Sequence, residues 1–285
     1  MTTFLIVGDL HGNKPLIHYK KFDAIIAPGD FCSDKAREYM FAALKHNMTN
    51  PKNKKEWWEI TGKKTAEWMI KKSMKDGRKI LQWLNSFGKP VYIVPGNWDW
   101  TPNKESTWPY LKQDHYKKLI KGLPNIIDVY HKRLETEDYT IIGHGITSGP
   151  EYPQYPEDIK RKTKKELATM KKNYTSTLKK LGAFFTGKKP IIFISHNVPF
   201  NTPLDKIKMK SSPRYGYHYG SLIARTLIEQ HQPLVCIGGH MHETHNQYVM
   251  GKTTAINAGF GAAVNTLLNI RNNNLTQLRF YLGIY

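Results

Sequence analysis

Five short motifs in this chain carry side chains able to hold divalent metal ions. They are Gly8-Asp9-Leu10-His11-Gly12-Asn13, Gly29-Asp30, Gly96-Asn97-Trp98-Asp99, Ser195-His196-Asn197 and Gly239-His240-Met241-His242. Their donors are carboxylate, imidazole and amide oxygen with no thiolate, a set that suits Mn, Fe, Zn or Ni. Asp9 and His11 stand two positions apart, as do His240 and His242, so on an extended segment each pair points to one side. Asp30 offers two oxygens and can bridge a pair of ions about 3.5–4 Å apart. Such a pair lowers the pKa of water and neutralises charge developing on a substrate oxygen. Each motif alone is weak, because a Gly-Asp is usually a turn and a Ser-His-Asn is usually nothing. Their joint occurrence, each just after an apolar run, carries the reading.

Those apolar runs are residues 4–7, 24–27, 91–94, 140–142, 191–194, 235–237 and 254–256. Their shortness and β-branched content predict buried strands. Helical patterns lie between several of them, which predicts an α/β chain of repeated βα units. In such sheets ligands gather beyond the carboxyl ends of strands, so distant motifs can converge on one crevice. Glycines beside Asp9, Asp30, Asn97 and His240 permit tight turns at the strand tips. Residues 275–285 alternate loosely and predict an edge strand. No internal repeat or low-complexity linker divides the chain, so one domain spanning 1–285 is expected, with basic helical insertions around 45–85 and 155–185.

The five motifs together resemble the pattern of the calcineurin-like metallophosphoesterase superfamily, D-x-H, GD, GNH[D/E], H and GHxH, from Asp9 to about Gly261. The resemblance implies a four-layer αββα sandwich of two mixed β-sheets flanked by helices. It implies two divalent metal ions (Mn, Fe, Zn or Ni), one held by Asp9, His11, Asp30 and His242, the other by Asp30, Asn97, His196 and His240. The implied reaction is in-line hydrolysis of phosphate esters by a metal-bridging hydroxide, with phosphodiesters or nucleotides favoured over monoesters. Residues 195–257 further resemble the branch of predicted phosphoesterases related to class III cyclic-nucleotide phosphodiesterases. They contain Ser195-His196-Asn197-Val198-Pro199, Thr202-Pro203-Leu204-Asp205, His218-Tyr219-Gly220-Ser221 and Asn257-Ala258-Gly259.

One position departs from the family. Trp98 stands where the third motif usually has the histidine thought to protonate the leaving oxygen, and indole is no general acid near neutral pH. General acid catalysis is worth about 10²- to 10⁴-fold. His144, in Gly143-His144-Gly145, and His218, in the loop from Arg214 to Tyr219, are the candidate substitute donors. Asp99, which in the family orients the missing histidine, is the third candidate and is expected to cap a turn or hold a water. His18, His46, His115, His131, His231 and His245 are expected at the surface. Arg214 and the neighbouring tyrosines can hold a phosphate, stack on a base, or simply pack the loop.

Composition sets the outer bounds. The chain has 285 residues, 40% hydrophobic and 12% aromatic, enough for a sizeable core. No apolar run reaches the roughly 20 residues needed to cross a bilayer. The start, Met1-Thr2-Thr3 running directly into an apolar run, lacks the features of a secretory leader, and the two cysteines, Cys32 and Cys236, read as buried thiols. A cytoplasmic location is therefore expected. The net charge is +20. Residues 45–80 hold eleven Lys/Arg against four acids, and residues 160–189 hold eleven against one, so these two stretches carry nearly all of the excess. In the second, Leu167, Met170, Tyr174, Leu178 and Leu181 form a helical apolar stripe with lysines largely off it. In the first, Trp57, Trp58, Trp68 and Trp83 interleave with lysines, which suits either nucleic-acid contact or packing of a helical hairpin. The leading partner is a small phosphoester or nucleotide. The alternatives are a nuclease working through the basic insertions and a catalytically weak metal-binding interaction module. No membrane insertion is expected, and the oligomeric state is not legible.

Overall fold

Each predicted apolar run forms a strand, and the strands assemble into two sheets that meet face to face. A computed structural model describes residues 1–212 and 214–283 of the chain. The first sheet has six strands: β1 (Thr2–Ile6), β2 (Ala24–Ala27), β3 (Val91–Ile93), β4 (Ile126–Asp128), β11 (Val264–Arg271) and β12 (Asn274–Leu282), in the order β12-β11-β1-β2-β3-β4. The second contains β5 (Arg133–Glu135), β6 (Thr140–His144), β7 (Ile191–Asn197), β8 (Val235–Gly239), β9 (Asn246–Met250) and β10 (Thr253–Asn257), in the order β5-β6-β7-β8-β10-β9. β1, β2, β3 and β4 run parallel, as do β6, β7, β8 and β10. The outer strands β12, β11, β5 and β9 are antiparallel. The predicted 275–285 strand is β12 at the sheet edge, with Ile284 and Tyr285 outside the described residues.

Strand residues alternate between two cores, which explains why the runs are apolar throughout. Between the sheets, Phe4, Ile6 and Ile26 pack against Ile141, Ile192, Ile194 and Ile237. On the outer face of the first sheet, Leu5, Val7, Ile25 and Ile93 meet α3 (Lys63–Asn85) and α4 (His115–Ile120) through Ile80, Leu81, Leu84 and Leu119. On the outer face of the second, Phe193 and Cys236 meet α6 (Lys164–Gly182) and α7 (Leu222–His231) through Leu181, Leu227 and Ile228. Burying each such side chain contributes roughly 1.5–3 kcal/mol. The molecule is thus a four-layer αββα sandwich of two mixed sheets, as the motifs imply.

The basic stretches are helical. The first comprises α1 (Arg37–Thr49), α2 (Trp57–Thr61) and α3; the second comprises α5 (Pro156–Lys160) and α6. Trp57 and Trp58 are buried with Trp108 in a satellite core, and Trp83, on α3, meets Phe87 edge-on and packs against the core that holds Phe22. Of the four tryptophans only Trp68 is exposed, with the Lys72 ammonium 4.7 Å from its ring centroid. Packing, then, accounts for most of the aromatic content of the first stretch. Cys32 and Cys236 are buried and unpaired. Among the described residues no helix is long and apolar enough to cross a membrane.

Candidate metal centre

All five motifs lie at the carboxyl ends of parallel strands on one rim of the sandwich. Asp9 and His11 follow β1, Asp30 follows β2, Asn97 follows β3, His196 lies in the last residues of β7, and His240 and His242 follow β8. The expected extended geometry for Asp9/His11 and His240/His242 does not hold. β1 ends at Ile6 and β8 at Gly239, and the backbone then turns left-handed, with φ of 26° at Asp9, 45° at His11 and 65° at His240. Asp30 has φ 57°. Non-glycine residues are rarely found there, and such strain is retained where the surroundings over-determine it. The glycine of Gly96-Asn97 is needed for space rather than turning. A Cβ on Gly96 would overlap the Asp30 carboxylate and the Asp30 amide.

These turns bring the donor atoms of all seven side chains together in two groups that share one oxygen. In the first group His11 Nε2 and His242 Nε2 are 3.1 Å apart, His242 Nε2 is 3.4 Å from Asp9 Oδ2, and His11 Nε2 is 3.5 Å from Asp30 Oδ2. In the second, His196 Nε2 is 2.9 Å from Asn97 Oδ1 and 3.6 Å from the same Asp30 Oδ2. Donor atoms of Asp30, His196 and His240 lie within 4.8 Å of one another. The Asp30 carboxylate is fixed by its other oxygen, which accepts from the Trp98 amide at 2.8 Å. His196 is aimed by its Nδ1, which lies 2.8 Å from the Pro28 carbonyl, and Asp9 accepts from the His240 amide.

This cluster suits cations. Two imidazole nitrogens at 3.1 Å can share one proton or turn both lone pairs toward a metal ion. Asp9 Oδ1 and His11 Nδ1 are buried and have no hydrogen-bond partner among the described residues, and buried polar atoms left so are rare. As a bare set of side chains the cluster is electrostatically costly. Burial, with Asp9 and Asp99 close by, pushes the Asp30 carboxyl well above its usual range. Burial holds His11 down at about 4 and, aided by the field of His196, His240 at about 3. Burial likewise opposes ionisation of Asp9, but the hydrogen bond from His242 and the field of His196 keep that carboxyl below its ordinary value. Divalent ions bind neutral imidazoles and ionised carboxylates, so a cation here would take the place of the proton that burial favours on Asp30.

The candidate proton donors fall in different places. Asp99 is fully buried, and its two oxygens accept from the amides of Asp30 (2.9 Å), Phe31 (2.8 Å), Cys32 (3.0 Å) and Gly96 (2.8 Å). It ties the Asp30 loop to the Asn97 loop and has no free lone pair directed at a substrate. His144 is 4% exposed, with Nδ1 3.4 Å from His131 Nε2 and Nε2 3.2 Å from Glu151 Oε1, so both ring nitrogens are engaged. His218 differs. Its Nδ1 lies 2.7 Å from Asp205 Oδ1, its side chain is 25% exposed, and its Nε2 has no hydrogen-bond partner among the described residues. Asp205 is itself immobilised by the amides of Asn201, Thr202 and Gly220. The His218 loop is fastened to the site, because the Tyr219 carbonyl accepts from Asn197 Nδ2, next in sequence to His196.

Trp98 is half-buried, its ring edge-on to His11 at 6.4 Å between centroids. Arg214 is paired with Asp158 and Glu157 and lies over the rings of Tyr217 and Tyr219. It packs the loop and is not a free phosphate ligand. Of the histidines expected at the surface, His115 is buried with Nε2 2.9 Å from the Tyr110 carbonyl, and His131 is half-buried against Tyr130 and His144. Asp205 escaped notice as a functional residue, although its place thirteen positions before His218 and its Thr-Pro-Leu-Asp setting were visible.

No curated protein matches the chain by sequence. Solved structures share its fold at low identity. One aligns over 99% of this chain and 98% of its own with a TM-score of 0.62 and 14% identity. TT1561 of Thermus thermophilus covers 99% and 98% with a TM-score of 0.50 and 16% identity. A dimetal phosphatase from Danio rerio covers 95% and 93% with a TM-score of 0.50 and 11% identity. The profile of the calcineurin-like phosphoesterases, metal-dependent hydrolases of phosphoesters, matches residues 2–244. With that match spanning most of its length and every motif of the pattern on one rim, the chain belongs to the calcineurin-like phosphoesterase family.

Proposed function

We propose that the protein hydrolyses phosphodiesters at a binuclear centre held by Asp9, His11, Asp30, Asn97, His196, His240 and His242, with His218 as the proton donor to the leaving oxygen. The observation that carries this is the single oxygen Asp30 Oδ2, 3.5 Å from His11 Nε2 and 3.6 Å from His196 Nε2, central to two groups of donors. Divalent cations bound there supply concentrated positive charge, which polarises phosphoryl oxygens and lowers the pKa of water. Asn97, His196 and His240 would hold the cation on one side of Asp30, and Asp9, His11 and His242 the cation on the other. The loops of Asp30 and Asn97 keep their relative position because Asp99 holds the amides of both. His218, aimed by a buried carboxylate and with Nε2 free, does what Trp98 cannot: it gives a proton at Nε2 to a departing alkoxide. The Ser195–Gly259 motifs support placement in the branch related to class III cyclic-nucleotide phosphodiesterases, with the basic helices as insertions in a single domain.

Replacing His218 with alanine tests the assignment. Turnover of an alkyl phosphodiester should fall about 10²- to 10⁴-fold, while a p-nitrophenyl diester, whose leaving group needs no proton, and the bound metal content stay close to wild type. Equal losses on both substrates would make His218 a structural residue. No turnover of any diester by metal-loaded wild-type protein would favour a metal-binding module without catalysis.

A further inference from the structure

The two basic stretches, about a hundred residues apart in sequence, each contribute cations to the lining of one cleft of about 1060 Å³, the first through Lys54 and the second through Lys160, Arg161 and Lys162. Lys54 follows α1, Lys160 ends α5, and Arg161 and Lys162 join α5 to α6. All four are exposed, and none makes an ion pair among the described residues. Glu166, the carboxylate that both Lys54 and Lys162 act on, is held by the Thr163 amide at the start of α6. The cleft's carboxylates are already committed. Asp158 pairs with Arg214, and Glu151 accepts from His144 and from the Leu222 and Ile223 amides at the start of α7. The free charge of the cleft is therefore positive.

The floor and sides are not purely polar. The lining includes Tyr130, stacked on His131 at 4.1 Å, and the apolar side chains of Leu44, Met48 and Met170. Leu44 and Met48 are 49% and 39% exposed on α1. Cations beside flat apolar surfaces match a strand whose bases are uncovered, since phosphates meet the lysines while bases lie on rings and side chains. A duplex keeps the faces of its bases stacked inside, where rings and apolar side chains cannot reach them.

The cleft abuts the metal-binding rim at two points. Residues 145–149 line it, and the Ile146 amide donates to the Pro95 carbonyl at 2.8 Å, two residues before Asn97. Tyr219 also lines it, its carbonyl bonded to Asn197 beside His196. We infer that this cleft is the track for a single-stranded nucleic acid, which it feeds toward the Asn97 and His196 side of the centre. The inference rests on the phosphodiester reading and gives it a substrate class.

The test uses the full chain loaded with manganese and a fluorescent, hydrolysis-resistant phosphorothioate oligothymidylate of about 12 nucleotides, within the site sizes of single-strand binders. Four phosphate contacts predict a slope of log affinity against log salt of roughly −3, at about −0.7 per contact. The combined substitution Lys54→Gln, Lys160→Gln, Arg161→Gln and Lys162→Gln should flatten that slope and weaken binding by about tenfold or more. Lys117→Gln, Lys118→Gln and Lys252→Gln, exposed cations away from the cleft, should leave the affinity near wild type, and a thermal melt of each variant guards against misfolding. Unaltered binding by the cleft variant, equal affinity for a duplex, or equal competition by inorganic polyphosphate would each overturn the inference. Turnover of bis(p-nitrophenyl) phosphate by the wild type reads the centre separately. Turnover without oligonucleotide binding overturns the cleft alone. Cleft-dependent binding without turnover of any diester overturns the phosphodiesterase reading and leaves the cleft standing.

Discussion

Asp30 carries more of the site than any other side chain, since one of its oxygens stands between two imidazole groups and the other fixes the backbone at Trp98. Its carboxyl is raised by burial first and by Asp9 and Asp99 next. A carboxyl raised in the fold loses stability as pH climbs past its unfolded value, so at neutral pH the metal-free chain is strained by this group. Cations that bind only the folded chain should stabilise it by about 2.7 kcal/mol at a hundredfold excess over Kd, or roughly 5–10 °C in Tm. Asp30→Asn fits the left-handed backbone at φ 57° and relieves the charge. The variant should melt higher than wild type in chelator yet show little rise on adding manganese. A full metal response in the variant would remove Asp30 from the centre. The donor types at this site could be read from the sequence because they cluster in short motifs. The task of Asp99 could not, because three of its four amide donors lie 67–69 positions away on another loop.

Element by element, β1, β2, β3, β6, β7, β8 and β10 were legible because both faces of each are buried, which makes their central residues apolar. β11 was not, although it lies between β1 and β12 in the sheet. Asn265 and Asn269 interrupt its apolar pattern, and Asn265 is buried because it accepts from the His18 amide at 3.0 Å. β4, β5 and β9 span only three to five residues each and carried no periodic signal. A similar long-range device ties β6 to α7. His144 ends the strand and binds Glu151, which accepts from the first amides of the helix, and His131 stacks on His144 with an interplanar angle of 4°. Burial and the His144 ring hold His131 down at about 3. Because an unfolded histidine takes up its proton near pH 6.5, the folded state loses stability as pH falls from there toward about 3. One proton accounts for up to about 1.4 kcal/mol per pH unit. His131→Asn, compatible with φ 51°, should reduce the fall in urea midpoint between neutral and mildly acid pH. An unchanged slope would mean that His131 titrates freely in the folded protein.

Across the whole molecule the +20 charge is unevenly held, and the fold brings cations from both basic stretches, Lys54 from the first and Lys160, Arg161 and Lys162 from the second, to one cleft. The totals were plain in the sequence, but their meeting was not, since it depends on α1 and α6 lying on either side of residues 144–151. Unpaired like charges facing each other across a solvent-filled gap repel, and salt weakens that repulsion as the Debye length shrinks from about 30 Å at 0.01 M to about 10 Å at 0.1 M. Stability should therefore rise with potassium chloride over that range, by roughly 2–4 °C in Tm for each kcal/mol of repulsion relieved. Oligonucleotide affinity should fall over the same range, since binding releases counterions from the strand. The fourfold glutamine variant separates the two effects. It should melt higher than wild type at low salt and respond less to added salt, because the charges that repelled one another are gone. A wild-type melting temperature that stays flat or drops as salt is added would mean that surface attractions outweigh the repulsion across the cleft, and that the lysines of its two walls are too far apart to act on one strand.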